Sequence, residues 1–563
     1  MTREKPATHW WRSAVVYQVY LRSFADSSGT GTGDIRGLMD RLPHVVDLGA
    51  DALWLSPWFR SPMHDGGYDV ADYRDIDPTF GATSDALALI DRCHDLGLRV
   101  LIDLVANHTS TDHAWFRAAV GSPPGSRERQ RYHFRPGRGE GGEDPPNNWI
   151  SAFGGPAWTR IIEPDGTPGE WYLHLFSEHQ PDLNWECPDV VTEFDDVIRH
   201  WFDLGVDGIR VDAASALAKD PDLPSVDLDL SRGFIPRDWP GTPFWDVERV
   251  HDLLRRWRAI ADAYEGNRCL VGEVVVNTPD RFAAYLRPDE LHSAFAFDLL
   301  HSPWDATEMR AAISRSLAVV EKDADNPATL TWVLSNHDEI RHVTRYAPTV
   351  ARGGDCTVAL DIGLSRARAA LLLVLALPGA TCLYQGEELG LPEVLDLPAE
   401  LRRDPTFHRT AGAVLGRDGC RVPLPWSGDR PPFGFTAAEP WLPQPADWAS
   451  LTAAAQRSEP TSTLALYRDA LRVRRRLLGA NDTALRWRES SPGTLVFDRP
   501  GALTCVVNVG AEPVVLEAEP VLLSHHQDDP MLLPPGCAAW LGWQRTDEDG
   551  GAPPSPAGPA STV

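Results

Sequence analysis

Eight short runs of β-forming apolar residues recur along this chain, with helical patterns between most of them. They are VVYQVY (15–20), ALWLS (52–56), RVLIDLV (99–105), GIRVD (208–212), CLVGE (269–273), FAFD (295–298), LTWVLS (330–335) and TCLYQ (381–385). Stretches such as SDALALIDRCHDLG and VERVHDLLRRWRAIADAYEG carry apolar residues at helical spacing. Strand–helix alternation builds a parallel sheet, because each crossover helix returns the chain to begin the next strand in the same direction. Eight repeats point to an α/β fold, a closed (β/α)8 TIM barrel. A doubly wound open sheet has the same periodicity and stays open at this level.

At 563 residues the chain is long enough for a barrel and an accessory domain. Past about residue 480, GTLVFDR, ALTCVVNVG, PVVLEA and CAAWLGW are β-type runs separated by turn residues, the pattern of a small all-β C-terminal domain. Residues 121–148 form a Gly/Pro-rich polar insertion. Residues 1–8 and the Pro/Gly/Ser tail at 547–563 have no core formers and read as unstructured. No apolar run reaches bilayer-spanning length; LLLVLALPGA (371–380) is the nearest, and Pro378 closes it. The N-terminus lacks the apolar segment of a secretory signal. Eight scattered cysteines without a CxxC pair fit a cytoplasmic protein with reduced thiols. The net charge of −27 disfavours nucleic acid and anionic membranes, whose phosphates require Lys and Arg. Lysine stands only at Lys5, Lys219 and Lys322, which reads as codon bias towards arginine.

Several of the runs end in an acid. VLID ends at Asp103, GIRVD at Asp212 and LVGE at Glu273, while WVLSNHD delivers Asn336, His337 and Asp338 just past its strand. In a barrel the carboxyl ends of all strands face one mouth, so acids far apart in sequence converge there. Convergent carboxylates suit glycoside hydrolysis, in which one acid protonates the leaving oxygen and an anion meets the positive sugar carbon. Arg210 stands two residues before Asp212, so both side chains point the same way and the guanidinium is expected to keep Asp212 ionised. Glu273 has no cation beside it in sequence and is expected to be free to hold its proton.

With these motifs the chain resembles the α-amylase family, glycoside hydrolase family 13, and within it the α-glucosidase and oligo-1,6-glucosidase branch. DLVANH (103–108), GIRVD (208–212), GEVVV (272–276), SNHD (335–338), QPDLNW (180–185) and YQGEELG (384–390) stand in family order from about Trp10 to Trp543. The resemblance implies a catalytic barrel over 1–108 and 182–479. It also implies an inserted domain B over 109–181, a C-terminal β domain over 480–546, and a pocket wall in the Pro- and Trp-rich segment 391–450. It implies Asp212 as nucleophile, Glu273 as acid/base and Asp338 as the acid that holds the ring hydroxyls. Arg210, His108 and His337 would line the sugar site, Tyr68 would stack on the sugar, and Asp65 with Arg421 would grip its non-reducing end. Ala213, in place of the valine that accompanies α-1,6 preference, implies maltose-type substrates. Ser215 would face the acceptor.

The implied enzyme is therefore a retaining exo-acting α-glucosidase on short α-glucosides. A transglucosylase or a trehalose-synthase-like glucoside isomerase is the alternative on the same scaffold. A non-catalytic amylase-like module is remote, because all three acids are present. The stretch DSSGTGTGD (26–34) aligns with the family's cation loop but keeps only Asp26 and Asp34 as carboxylates. Charge count sets cation affinity, so the loop is expected to hold neither Ca2+ nor Mg2+. No cofactor is expected.

Overall fold

The computed structural model describes residues 9–229, 241–320, 328–352, 355–478 and 484–542. The expected termini, 1–8 and 547–563, lie outside the described residues. Eight strands form a closed barrel: β1 (Val15–Val19), β2 (Ala52–Leu55), β3 (Arg99–Leu104), β4 (Gly208–Val211), β5 (Cys269–Gly272), β6 (Ser293–Ala296), β7 (Thr329–Val333) and β8 (Ala380–Tyr384). Every neighbouring pair is parallel, and β8 pairs back onto β1 with Val15 opposite Thr381. This closure excludes the open sheet. All eight strands fall on the eight apolar runs, although most runs extend past the strand by a polar residue. FAFD departs further: its last two residues open a short helix, Phe297–Leu300.

A helix follows each strand: α1 (Ile35–Leu48), α2 (Thr83–Asp95), α3 (Pro188–Asp203), α4 (Arg249–Asp262), α5 (Pro279–Tyr285), α6 (Ala306–Val320), α7 (Leu360–Ala376) and α8 (Thr463–Leu477). Local signals set their ends. Asp34 caps α1 by accepting from Gly37 N, and Gly49 closes it at φ +100°, a conformation that suits glycine. The C-terminal half of helix α7, Ala369–Ala376, is apolar on all sides because it is buried throughout. Its inner face packs on the barrel, and Trp540 Nε1 of the C-terminal sheet donates to Leu372 O on its outer face. Among the described residues no helix is long and apolar enough to cross a membrane.

Between β3 and α3 the chain leaves the barrel and builds a three-stranded sheet. Pro168–Leu173 is its centre, flanked by Phe134–Arg135 and Trp158–Ile162. The chain returns through QPDLNW, where Asp182 bridges to His108 and Leu183 N donates to Asn107 O. The C-terminal part carries a five-stranded antiparallel sheet, ordered Arg486–Trp487, Thr494–Arg499, Leu503–Asn508, Ala538–Gly542, Pro520–Leu523.

Candidate active site

Arg210 projects from β4 into the barrel and is almost fully buried. One of its guanidinium nitrogens lies 2.7 Å from Asp103 and also bonds Asp212; the other lies 3.0 Å from Glu273. One cation thus draws three strand-end acids together at the carboxyl mouth of the barrel. The backbone holds the same arrangement. Glu273 N donates to Val211 O, and Ala213 N donates to Glu273 Oε2 at 2.8 Å. Ala213 achieves this at φ +41°, a left-handed conformation that costs a non-glycine residue about 1 kcal/mol.

Two electrostatic expectations need correction. Glu273 does have a cation beside it, because Arg210 reaches it across the barrel. Arg210 also does not act on Asp212 alone. Burial pushes the Asp212 carboxyl well above the usual carboxylate range; Arg210 opposes this, and the charges of Glu273 and Asp103 add to it. Asp103 is likewise pushed up by burial, to about 6, against the pull of Arg210 and the hydrogen bonds from Tyr68 and Trp54. Three carboxylates sharing one guanidinium cannot all be neutralised by it, so Asp212 and Asp103 hold their protons tightly.

The opposite wall is held differently. Asp338 Oδ1 accepts from Arg417 at 3.0 Å and from Arg421 at 2.8 Å, and His337 Nε2 lies 3.3 Å from its other oxygen. Burial works against ionisation there, but His337, Arg417 and Arg421 together hold Asp338 well below the usual range. The two histidines are neutral: burial lowers His108 and His337 to about 3. Tyr68 donates to Asp103 at 3.0 Å, and its ring stacks on His337 with centroids 5.1 Å apart.

The partner of Asp65 is Arg417, at 2.6 Å, and not the expected Arg421. Both arginines lie in GRDGCRVPLPW, and sequence order could not choose between them. Arg421 sits behind the pocket wall, donating to His337 O and Asp338, while Arg417 faces the cavity and is braced from behind by Asp404. The cavity is lined by Asp65, Tyr68, His108, Asp212, Ala213, Glu273, Asp338 and Arg417, so seven of the ten expected residues meet there, all but Arg210, His337 and Arg421. Those three act from its walls.

Four apolar lining residues escaped the sequence reading: Phe153, Phe176, Trp245 and Val275. Phe153 and Phe176 come from the insertion, and the Arg417 guanidinium lies 5.0 Å over the Phe153 ring. Trp245 is locked by its Nε1 donating to Val275 O at 2.7 Å. Arg409 ties the 391–450 segment to the insertion by donating to Gly154 O at 2.7 Å and Pro156 O at 3.1 Å. Ser215 is corrected as well. It is buried and exchanges hydrogen bonds with the Val275 backbone at 3.2 Å, so it braces the loop after Glu273 and does not line the cavity.

In the 26–34 loop all four carboxylate oxygens already accept protein donors. Asp26 takes the amides of Ser28, Gly29 and Gly31 and the Thr436 hydroxyl; Asp34 takes the amides of Ser27, Ser28 and Gly37 and the Ser27 hydroxyl. This donor set fits a hydrogen-bonded turn better than a cation cage, which needs several charged oxygens with free lone pairs. Among the described residues no three His, Cys, Asp or Glu side chains converge in a way that could hold a metal ion.

Comparison with known proteins agrees with this geometry. The model of the α-amylase catalytic domain matches residues 18–480. A probable α-glucosidase of Rhizobium meliloti is 38% identical over 486 residues, covering 84% of this chain and 83% of its own. An oligo-1,6-glucosidase of Parageobacillus thermoglucosidasius is 34% identical over 500 residues, covering 83% and 84%. Among solved structures, the α-glucosyl transfer enzyme XgtA superposes with a TM-score of 0.81 at 34% identity, covering 95% of this chain and all of that one. The chain belongs to the α-amylase family of glycoside hydrolases, glycoside hydrolase family 13.

Proposed function

We propose that this enzyme is a retaining, exo-acting α-glucosidase that removes glucose from the non-reducing end of short α-glucosides. The observation that carries the reading is the cavity's two unlike ends. At one end Arg210 bridges Asp212 and Glu273; at the other Arg417 joins Asp65 to Asp338. Two carboxyls held by one guanidinium suit the close pair, about 5–5.5 Å apart, that a covalent glycosyl intermediate requires. The Arg417 end offers charged donors and acceptors to the hydroxyls of a terminal sugar, which supports exo action.

In this mechanism Asp212 attacks the anomeric carbon while Glu273 gives its proton to the glycosidic oxygen. The leaving sugar departs with that proton, and Asp212 is left as a glucosyl ester. Glu273 then takes a proton from water as the water attacks the same carbon from the face the leaving group vacated, which restores Asp212 and keeps the α configuration. The two acids must share their protons unequally. In this reading the donor is Glu273, at the end of β5 in GEVVV, and its proton goes to the glycosidic oxygen, which can only accept. The positive charge that develops on the sugar favours the ionised form of Asp212, which in the empty cavity burial opposes. Asp338, held ionised, would bind the ring hydroxyls, with His108 and His337 as neutral hydrogen-bonding partners and Tyr68 stacked on the ring.

The small Ala213 beside the reacting centre supports maltose-type α-1,4 bonds over isomaltose-type bonds. The hydrogen-bonded 26–34 loop supports a cofactor-free enzyme without bound Ca2+ or Mg2+. A cytoplasmic setting fits seven cysteines that are free and buried among the described residues. Transglucosylation is the second reading, favoured by the likeness to an α-glucosyl transfer enzyme, because water and a sugar compete for one ester. Glucose release from maltose and isomaltose, measured side by side with chromatography of the products, tests all of this. Fast maltose cleavage with glucose as the main product is expected. Predominant transfer sugars would select the second reading.

A further inference from the structure

The chain has 53 basic residues, of which three are lysine, so fifty are arginine. Codon bias accounts for that ratio but not for the place of Lys219. Its ammonium has no exposed surface and sits 2.7 Å from Asp182 Oδ2, whose side chain is equally buried. It also donates to Asn107 Oδ1 at 2.5 Å and to Ala216 O at 2.7 Å. Three oxygens thus take the three protons of a compact tetrahedral cation. A planar, wider guanidinium has no matching arrangement there.

What lies beyond Asn107 gives this cluster a function. Because Asn107 Oδ1 faces the ammonium, its amide nitrogen faces Asp182 Oδ1 at 3.2 Å and His108 Nδ1 at 3.1 Å. An amide NH2 can only donate, so His108 Nδ1 must accept, and the ring proton is on Nε2. Nε2 stands 3.0 Å from Tyr68 O, which can only accept, and 3.0 Å from the amide nitrogen of Gln180, so a proton on Nε2 is donated to Tyr68 O beside the cavity. The same ammonium holds Asp182, the point at which the inserted domain bridges back to His108.

We propose that Lys219 is a positioning residue for the sugar site: it fixes the Asn107 amide, the amide fixes the tautomer of His108, and the Nε2 proton is thereby kept on Tyr68 O, where it holds the backbone of the residue that stacks at the cavity. The sugar-binding consequence rests on the glucosidase reading above; the tautomer relay does not. The positive charge of Lys219 also helps to keep His108 neutral, adding to the effect of its burial.

Histidine-selective 15N labelling, with two-bond correlation of the ring nitrogens, reads the tautomer directly. The His108 signal is assigned by its loss in His108→Gln. The wild type is expected to carry its proton on Nε2 at neutral pH. Asn107→Asp keeps an oxygen for Lys219 but turns an acceptor towards Nδ1, and is expected to move the proton to Nδ1. Lys219→Met frees the amide to flip and is expected to give a mixture, which Lys219→Arg does not restore. In these variants KM for maltose should rise roughly tenfold while kcat changes much less. A merely structural lysine would lower the melting temperature of Lys219→Met and leave the His108 tautomer and KM as they were. That result, or a wild-type proton on Nδ1, overturns the proposal. If Lys219→Met does not fold, Asn107→Asp decides. The tautomer needs no turnover to be read, so a failure to cleave maltose would count against the glucosidase reading alone.

Discussion

At the amino end of the barrel, Asp207 lies just before β4 with its side chain 1% exposed. It accepts from His94, Arg99, Arg268 and the Val100 amide, at 2.8 to 3.1 Å. At the carboxyl end, six acids (Asp65, Asp103, Asp212, Glu273, Asp338 and Asp404) share Arg210, Arg417 and Arg421. Both ends bury charge, but one gives a single carboxylate several donors and the other divides three cations among six carboxylates around a cavity. The first is a fastening. The second leaves acids with unmet electrostatic need, which a sugar's hydroxyls and developing positive charge can answer.

The contrast is broken most sharply by the same substitution at both ends. Asp212→Asn should lower kcat at least about 10^4-fold with the melting curve little changed, as expected for a missing nucleophile. Asp207→Asn should leave kcat within about twofold and lower stability by roughly 3 kcal/mol in denaturant titration, since it strips a buried network of its anion. Equal catalytic loss in both variants would remove the distinction.

Within the mouth, Arg417→Ala should reduce kcat/KM for maltose about 100-fold, mostly through KM, because it removes charge-assisted bonds to the terminal sugar. Arg421→Ala should act through Asp338 and lower kcat as well. If Arg421→Ala raised KM more than Arg417→Ala, the assignment of Asp65 to Arg417 would have to be reversed. A smaller change is expected from Ala213→Val, which narrows the space beside the reacting bond. The ratio of maltose to isomaltose cleavage should fall about tenfold, the effect of a methyl group or two in a close-fitting site.

Behind β8, Glu387 is an intermediate case, buried with Tyr384 N and the Tyr467 hydroxyl on its oxygens among the described residues. Burial raises it to about 8. An acid raised in the folded state contributes stability that is full below its unfolded value, near 4.5 for Glu, and is lost as pH rises through about 8. The wild-type melting temperature should therefore decline between about pH 4.5 and 8, and Glu387→Gln should flatten that decline by about 2 °C. Smallest of all, a chelator should move the melting temperature by less than about 1 °C, because the 26–34 carboxylates are satisfied by the chain itself. A large drop would mean that the loop holds a cation after all.

The eight strands were legible because each is a short apolar run between turn residues, and the acids were legible because they end those runs. Contacts made across the barrel were not. Arg210 is separated from Glu273 by 63 residues, and its reach to that acid depends on β4 lying beside β5. Arg417 is 352 residues from Asp65, and only the fold of the 391–450 segment decides that it, and not Arg421, turns inward. Phe153 and Phe176 carry no signal that distinguishes a pocket roof from a core, because the same stretch also buries Trp149, Trp158 and Tyr172. Ser215 was placed by the resemblance alone; the left-handed Ala213 leads into a tight turn, Ala214–Ala216, in which the Ser215 hydroxyl meets the Val275 backbone.

The central claim is that Asp212 and Glu273 act in sequence through a covalent ester and so retain configuration. Proton NMR of the first glucose released from the non-reducing end of an α-glucoside, recorded before mutarotation, tests it directly. The account predicts the α anomer. First appearance of the β anomer would contradict it, because only a single displacement by water produces that product.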